Sequence, residues 1–284
     1  MKKALGLLLA GAVVAAMAVS SSAAPKGQLK IAGSNTLLPL SQVWAETFMN
    51  KYPDASVSIS GGGSGQGLAQ LLNGTCNIAA ASRAAKAKEI DSARTRNFKL
   101  VATKVARDGL AVIVHPSNNV KNMTIPQLGQ IYGGAVKTWD KVGGVSKNRI
   151  LVIGRDSSSG TYGFFQDAVL GGKAYTKDMM SNPTTQAICV AVSQSKDAIG
   201  YVGVAYAEDF ASRGKVKIIS ISRKTGEAGM VPTVARIKSG EYPLFRFLYY
   251  YTAGSPKGLA AEFLKFCTGP EGQNLVEKGG YVAL

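Results

Sequence analysis

A single histidine, His115, serves all 284 residues, and this scarcity removes several chemistries at once. A serine hydrolase needs a base beside its nucleophile. His115 ends an apolar run just before Pro116, which suits a structural role, and no G-x-S-x-G elbow is present. A metal site would gather His, Cys or carboxylates, and the sequence offers no such cluster and implies no cofactor. Cysteine is also scarce. Cys76, Cys189 and Cys267 are spaced too widely for a metal motif. An oxidising compartment permits one disulfide among them and leaves one thiol over. The sequence does not say which two would pair, and the apolar surroundings of Cys76 and Cys267 suit buried free thiols.

Acidic residues are few, 17 against 33 Lys and Arg. Such a balance fits nucleic acid, an anionic surface or anionic solutes as partners. Nucleic acid is not expected, because the basic residues are not interleaved with aromatics and no recognition motif appears. The stretch from Arg83 to Arg107 carries eight basic residues and two acidic ones, Glu89 and Asp91, and reads as a solvated face.

Long apolar runs are confined to the first two dozen residues. Lys2 and Lys3 precede the run Leu5–Val19, and Ser22-Ala23-Ala24 supplies the small residues of a cleavage site. The run is short for a bilayer span, which needs about 20 residues. Residues 1–24 are therefore expected to be a secretory signal cleaved near Ala24, leaving a soluble, exported, periplasmic protein. Loss of Lys2 and Lys3 leaves 31 basic against 17 acidic residues, a charge of +14. A hydrophobic share of 46% and a charged share of 18% describe a globular chain, long enough for two modest cores.

What the chain does have is a repeated alternation. Leu29–Gly33 reads as a strand, Leu38–Tyr52 as an amphipathic helix and Val57–Ser60 as a second strand before the loop GGGSGQG. A helix begins at Leu68, and Asn77–Ala81 is a third strand before a basic helix. The glycine-rich loop lacks the Lys-Ser/Thr ending of a P-loop, so nucleotide binding is not expected there. Further strands are expected at Ala111–His115, Ile199–Gly203, Lys215–Ser222 and Leu244–Tyr251, and helices at Asn182–Ser195, Lys257–Phe266 and Glu271–Lys278. Strands alternating with helices predict an α/β fold with a largely parallel sheet. In such sheets ligands sit beyond the carboxyl ends of the strands.

Hydroxyl-rich loops lie at those ends: Ser34 and Thr36, then Ser64, then Ser82 with Arg83. The densest is Gly154–Phe165, GRDSSSGTYGFF, between the aliphatic run Ile150–Ile153 and a helix through Leu170. Helix N-termini present N–H groups without intrahelical partners and favour negative charge. An Arg adds a planar fork suited to oxyanions. A plain cap by Ser159 or Thr161 explains one hydroxyl, but not three serines beside Arg155.

These stretches carry a resemblance. IAGSNTLLPL, VSISGGGSGQG, NIAAASR, YGGAVKTW, GRDSSSGTYGFF, AIGYVG and YPLFRFLYYYT are similar to the PstS-type phosphate-binding proteins, the extracytoplasmic receptors of phosphate ABC transporters, from about residue 27 to the C-terminus. The resemblance implies a type II periplasmic binding protein fold: two α/β lobes, a ligand cleft and two hinge crossings, near 111–115 and 245–251. Lobe I would comprise residues 25–110 and 250–284, and lobe II residues 111–249. Implied partners are inorganic phosphate and a membrane permease, with a monomeric, non-enzymatic receptor. A receptor for sulfate, molybdate or tungstate, and a secreted phosphoester hydrolase, are the competing readings. The implied phosphate contacts are Thr36, the Leu37 backbone, Ser64, Arg155, Ser159, Gly160 and Thr161, with Ser34 and Ser82 at the same edge. The family commonly follows the Ser82 position with an Asp that accepts the proton of hydrogen phosphate. Here Arg83 follows; it either faces the cleft as a second guanidinium, the arrangement its place at the strand end favours, or points to solvent and merely begins the basic helix. Loss of a charged partner from a desolvated anion costs on the order of 2–5 kcal/mol. Arg155→Ala is therefore expected to weaken phosphate binding by more than about tenfold without unfolding, as read by calorimetric titration.

Overall fold

The alternation read from the sequence folds as a succession of strand–helix units. The structure, a computed structural model, describes residues 24–284. The expected export signal, apart from Ala24 itself, lies outside the described residues. The first units are β1 (Gly27–Gly33), α1 (Leu38–Lys51), β2 (Ala55–Gly62), α2 (Ser64–Leu72), β3 (Ile78–Ala81) and α3 (Ala87–Thr95). β4 (Leu100–Val114) and β5 (Asn122–Thr124) follow, then α4 (Ile125–Tyr132), β6 (Leu151–Arg155), α5 (Gly160–Leu170), β7 (Met180–Asn182) and α6 (Thr185–Gln194). The chain ends with β8 (Ala198–Gly203), α7 (Val204–Ser212), β9 (Lys217–Ser222), α8 (Val234–Ser239), β10 (Phe245–Ala253), α9 (Gly258–Thr268) and α10 (Pro270–Lys278).

The strands follow the order β2-β1-β3-β10-β4-β8-β6-β7, with β9 also against β4 and β5 beside β9. The sheet is mixed, which corrects the expectation of a largely parallel one. β1 runs parallel to β2 and β3, and β6 runs parallel to β7 and β8. β10 is antiparallel to β3 and β4, and β4 is antiparallel to β8 and β9. The antiparallel pairs arise because two strands carry the chain between lobes in opposite directions. Leu100–Gly109 of β4 pairs with β10 along its whole length, Phe245–Ala253, whereas Leu110–Val114 pairs with β8. The expected lobe boundary after residue 249 thus falls within β10.

Each lobe buries both faces of its sheet. In the first, Leu40, Trp44 and Phe48 of α1 pack with Phe263 and Val276 of the two C-terminal helices. The indole of Trp44 donates to the Gly272 carbonyl at 2.9 Å, so this buried polar atom is satisfied. Leu68 and Leu71 of α2 cover the opposite face with Ala79, Ala81 and Tyr251. In the second lobe, Leu128, Ile131 and Phe165 pack on one face, where the Phe165 and Tyr201 rings stack at 4.0 Å. Ile188, Val192 and Phe210 pack on the other against Ile113 and Val202. The three cysteines lie in three different apolar clusters, all buried and unpaired. The permitted disulfide does not form, because no two thiols share a core. Burial pushes the Cys76 thiol up to about 11 and that of Cys189 up to about 12.

Helix starts follow local chemistry. The Thr124 hydroxyl accepts from Gln127 N–H, Thr184 from Ala187 and Thr233 from Arg236, each at the N-cap of a helix. The start of α3 is different. Glu89 accepts from the Lys86 backbone N–H at 2.6 Å and takes a two-pronged bond from Arg83, at 2.7 and 2.8 Å. Arg83 also donates to the Ala84 carbonyl at 2.9 Å. Both residues of the pair are buried at 8% exposure. Arg83 is therefore not solvent-facing: it is buried, its charge is matched by Glu89, and its Cδ and Nε lie toward Gly163 of α5 in the second lobe.

Burial pushes the Glu89 carboxyl up, but the Arg83 bonds, the Lys86 N–H and the two nearby positive charges outweigh it and hold it below its ordinary value. A depressed carboxylate contributes stability that is present above its unfolded pKa and lost as pH falls through the folded one. Breaking a buried pair by removing one partner costs about 3–5 kcal/mol. Glu89→Gln should thus lower stability markedly at pH 7. The gap from the unmodified protein should shrink as pH falls below about 4.3, the ordinary Glu value. Denaturant unfolding at pH 7 and pH 4 measures both. Arg83→Asp would set two carboxylates together here and should destabilise more than Glu89→Gln.

Candidate functional site

The hydroxyl loops converge because the strands that carry them end at one edge. β1 gives way to Ser34-Asn35-Thr36-Leu37, and α1 begins at Leu38. Asn35 fixes this turn from three sides. Its Oδ1 accepts from Gly62 N–H at 3.0 Å, its amide donates to the Pro183 carbonyl at 3.1 Å, and its carbonyl accepts from the Tyr206 hydroxyl at 3.1 Å. β2 leads directly into α2 through Gly63, at φ +104. A Cβ there would lie 2.7 Å from the Ser158 carbonyl oxygen, so glycine is needed for conformation and for space. The GGGSGQG stretch is accordingly a strand end and a helix start joined at one residue, not a long flexible loop.

At the helix start, the Ser64 hydroxyl accepts from Ser82 N–H at 3.0 Å and lies 3.4 Å from the Ser82 hydroxyl. Across the cleft, Ser159 caps α5 by accepting from Tyr162 N–H at 3.3 Å. Gly160 follows, so close that a Cβ would lie 2.2 Å from the Ser64 oxygen and 2.6 Å from that of Ser82. Thr161 comes next, its hydroxyl 3.1 Å from that of Thr36. The N-termini of α1, α2 and α5 and the end of β3 thus meet at one place. Ser34, Thr36, Leu37, Ser64, Ser82, Ser159 and Thr161 are all nearly inaccessible to solvent there. The Ser34 hydroxyl is one of two buried side-chain polar atoms among the described residues with no partner. An orphaned hydroxyl is costly unless something else satisfies it.

Arg155 ends β6, 2% exposed. Its Nε donates to the Asn182 carbonyl at 3.1 Å, Nη1 to the Thr185 hydroxyl at 3.2 Å and Nη2 to the Pro183 carbonyl at 2.9 Å. A guanidinium has five N–H donors, so these bonds leave two N–H groups over. Its partners are neutral, and the nearest carboxylate oxygen, on Asp156, lies 3.8 Å away. Burial pulls its pKa down; Asp156 and two tyrosines oppose this, and the charge of Arg246 adds to it. Asp156 itself accepts from the Ser158 hydroxyl and, at 2.8 Å, from its N–H, and so shapes the loop. Arg83 lies at the rim, where a Cβ on Gly163 would be 3.1 Å from its Cδ.

Sequence reasoning missed Arg246 and Asp108. They face each other on the crossing strands β10 and β4. Arg246 donates to Asp108 Oδ2 from Nε at 2.9 Å and from Nη2 at 2.7 Å. Nη1 reaches the Ser82 carbonyl at 3.2 Å and the Thr161 hydroxyl at 3.1 Å, and Nη2 reaches the Thr36 hydroxyl at 3.4 Å. Burial pushes the Asp108 carboxyl up, while Arg246 and the Val204 N–H pull it down; two short bonds from a guanidinium hold it as the carboxylate. The available signal was a lone Arg within the otherwise apolar run FRFLYYYT. A charge inside a buried strand needs a partner.

Known proteins share this fold. Residues 18–271 match the model of the PBP superfamily domain. Phosphate-binding protein PstS of Pseudomonas aeruginosa is 33% identical over 274 residues, covering 91% of this chain and 83% of its own. PstS of Bacillus subtilis is 32% identical over 257 residues, covering 90% and 80%. Among solved structures, a Clostridium perfringens protein described as a phosphate ABC transporter substrate-binding protein, with bound phosphate, superimposes with a TM-score of 0.81 at 27% identity, covering 91% of this chain and all of that one. An ABC-type phosphate transport receptor from Vibrio cholerae does so at 0.73 and 25% identity, covering 90% of this chain and all of its own. With two α/β lobes, two crossing strands and a cleft of helix N-termini, this chain belongs to the PBP superfamily, in the family of the phosphate-binding proteins PstS.

Proposed function

We propose that the chain captures inorganic phosphate between its lobes and delivers it to the membrane permease of an ABC transporter. The observation that carries this reading is the meeting of three helix N-termini and the Thr36, Ser64, Ser82 and Thr161 hydroxyls from both lobes at one buried point. Hydroxyls, N–H groups and a guanidinium with donors to spare are what a small tetrahedral anion requires once water is removed. The relatives named for phosphate binding support the choice of anion. In this reading the protein is a receptor and not an enzyme, since His115, the one imidazole, sits on the exposed Ser117 turn away from the cleft. It works as an exported monomer in the periplasm, its leader removed near Ala24. No helix among the described residues is long and apolar enough to cross a membrane. Lobe I then comprises residues up to Gly109 and from Phe245 onward, with the second lobe between, as the strand register supports.

A second reading, a receptor of broader oxyanion range that also takes sulfate, molybdate or tungstate, is favoured by one observation. The carboxylates around the cleft already have partners: Asp108 has Arg246, Glu89 has Arg83 and Asp156 has Ser158. A free acceptor would reject a fully deprotonated anion, because it would stay unpaired against it. Isothermal titration with phosphate, sulfate and molybdate distinguishes the two readings. Phosphate should bind, and the radius of gyration from small-angle scattering should fall as the lobes close on it. Sulfate competing within about tenfold of phosphate, a gap of 1.4 kcal/mol, supports the broader reading. Absence of phosphate binding with hydrolysis of a phosphoester would overturn both.

A further inference from the structure

At the cleft floor the Arg246 side chain bonds to groups from both lobes. Thr36 and Ser82 belong to the first lobe and Thr161 to α5 of the second. The guanidinium has five N–H donors, and five bonds are present: two to Asp108, one to the Ser82 carbonyl and one to each threonine hydroxyl. It therefore has no donor left for a ligand. Its effect on the two threonines is more specific. A hydroxyl has one proton and accepts through its lone pairs. Where a guanidinium N–H occupies an acceptor lobe, the hydroxyl proton must point elsewhere. Thr36 and Thr161 lie 3.1 Å apart, so one of them can donate to the other. An anion arriving beside them can take both protons, because Arg246 already fills the acceptor side of each.

Asp108 completes the device. Its carboxylate balances Arg246 and also accepts from Val204 N–H at 3.3 Å, at the start of α7 in the second lobe. The pair lies where β4 passes from one lobe to the other, next to Gly109. Separation of the lobes would strip Nη1 of Thr161 or of Ser82, leaving a buried charged donor short of a partner. The ring of Phe164 on α5 lies 5.5 Å from the guanidinium carbon, a further contact made across the cleft.

We propose that Arg246, held by Asp108, is the positioning residue of the anion site: it orients the Thr36 and Thr161 hydroxyls as donors from opposite lobes and so couples anion binding to lobe closure. The inference rests on phosphate capture in this cleft. It assigns Arg246 no contact with the anion; the residue acts through the two threonines.

The test is a double-mutant cycle read by phosphate titration, with circular dichroism to verify folding. Arg246→Gln alone would leave Asp108 buried and unpaired, so the charge pair is removed together as Asp108→Asn/Arg246→Gln. That protein should bind phosphate at least about tenfold more weakly, the loss of a hydrogen bond to a charged group. Thr161→Val should cost at least about tenfold in the unmodified protein but little in the Asp108→Asn/Arg246→Gln background, since the hydroxyl is no longer oriented there. A merely structural Arg246 gives additive losses, and that outcome overturns the proposal, as does unchanged affinity in the folded double variant. Arg246→Lys keeps the charge opposite Asp108 and serves if the double variant does not fold. It lacks the fork that reaches both threonines, and its binding should be weakened with the melting temperature little changed. Wild-type affinity in Arg246→Lys likewise overturns the proposal. Failure of the unmodified protein to bind phosphate would instead overturn the reading of the cleft, and this inference with it.

Discussion

Two opposite charges, Asp108 and Arg246, are buried side by side where β4 and β10 cross between the lobes, and the cleft is arranged around them. Taking such a pair out of water is expensive, and apolar residues of similar volume would often be as stable or more so, by about 1–4 kcal/mol. Net stabilisation is therefore a poor account of why the pair is there. The bonds it makes give a better one. Arg246 reaches a carbonyl in one lobe and a hydroxyl in each, and Asp108 reaches the first N–H of α7. The pair thus ties together the turn after β1, the end of β3, the start of α5 and the start of α7.

Around that floor the site relies on partial charges more than on formal ones. Arg246 is neutralised by Asp108, and Arg83 by Glu89 at the rim. Arg155 alone of the three is held mainly by neutral acceptors, two carbonyls and a hydroxyl. The remaining attraction comes from helix N-termini and hydroxyl dipoles, which are preorganised and need no counter-ion when the cleft is empty. That suits a receptor which must release its ligand. At longer range the excess of basic over acidic residues raises the local concentration of anions and their rate of encounter.

The strand-end loops were legible in the sequence because they are local: short apolar runs, then hydroxyls and glycines, then helix periodicity. Thr36, Ser64, Ser82 and the Ser159-Gly160-Thr161 turn come together as that pattern suggests. What escaped depends on pairing between distant segments. Leu100–Gly109 carries Lys104, Arg107 and Asp108 in a strand, and its charges hid it; only Ala111–His115, over the wholly buried second half of β4, reads as a strand by itself. Without that first half the antiparallel register with β10 could not be drawn, and Arg246 had no visible partner. The partner of Arg83 was hidden for a similar reason: Glu89, six residues on, is brought back to it by the first turn of α3.

The central claim is that an anion is held by hydroxyls and helix N-termini drawn from both lobes, above the Asp108–Arg246 pair. A crystal structure of the phosphate complex tests it most directly. The account predicts phosphate oxygens about 2.5–3.2 Å from the hydroxyls of Thr36, Ser64 and Thr161 and from backbone N–H groups at the start of α5, with Arg246 still bonded to Asp108. Phosphate seated elsewhere, or bonded within one lobe only, would contradict it.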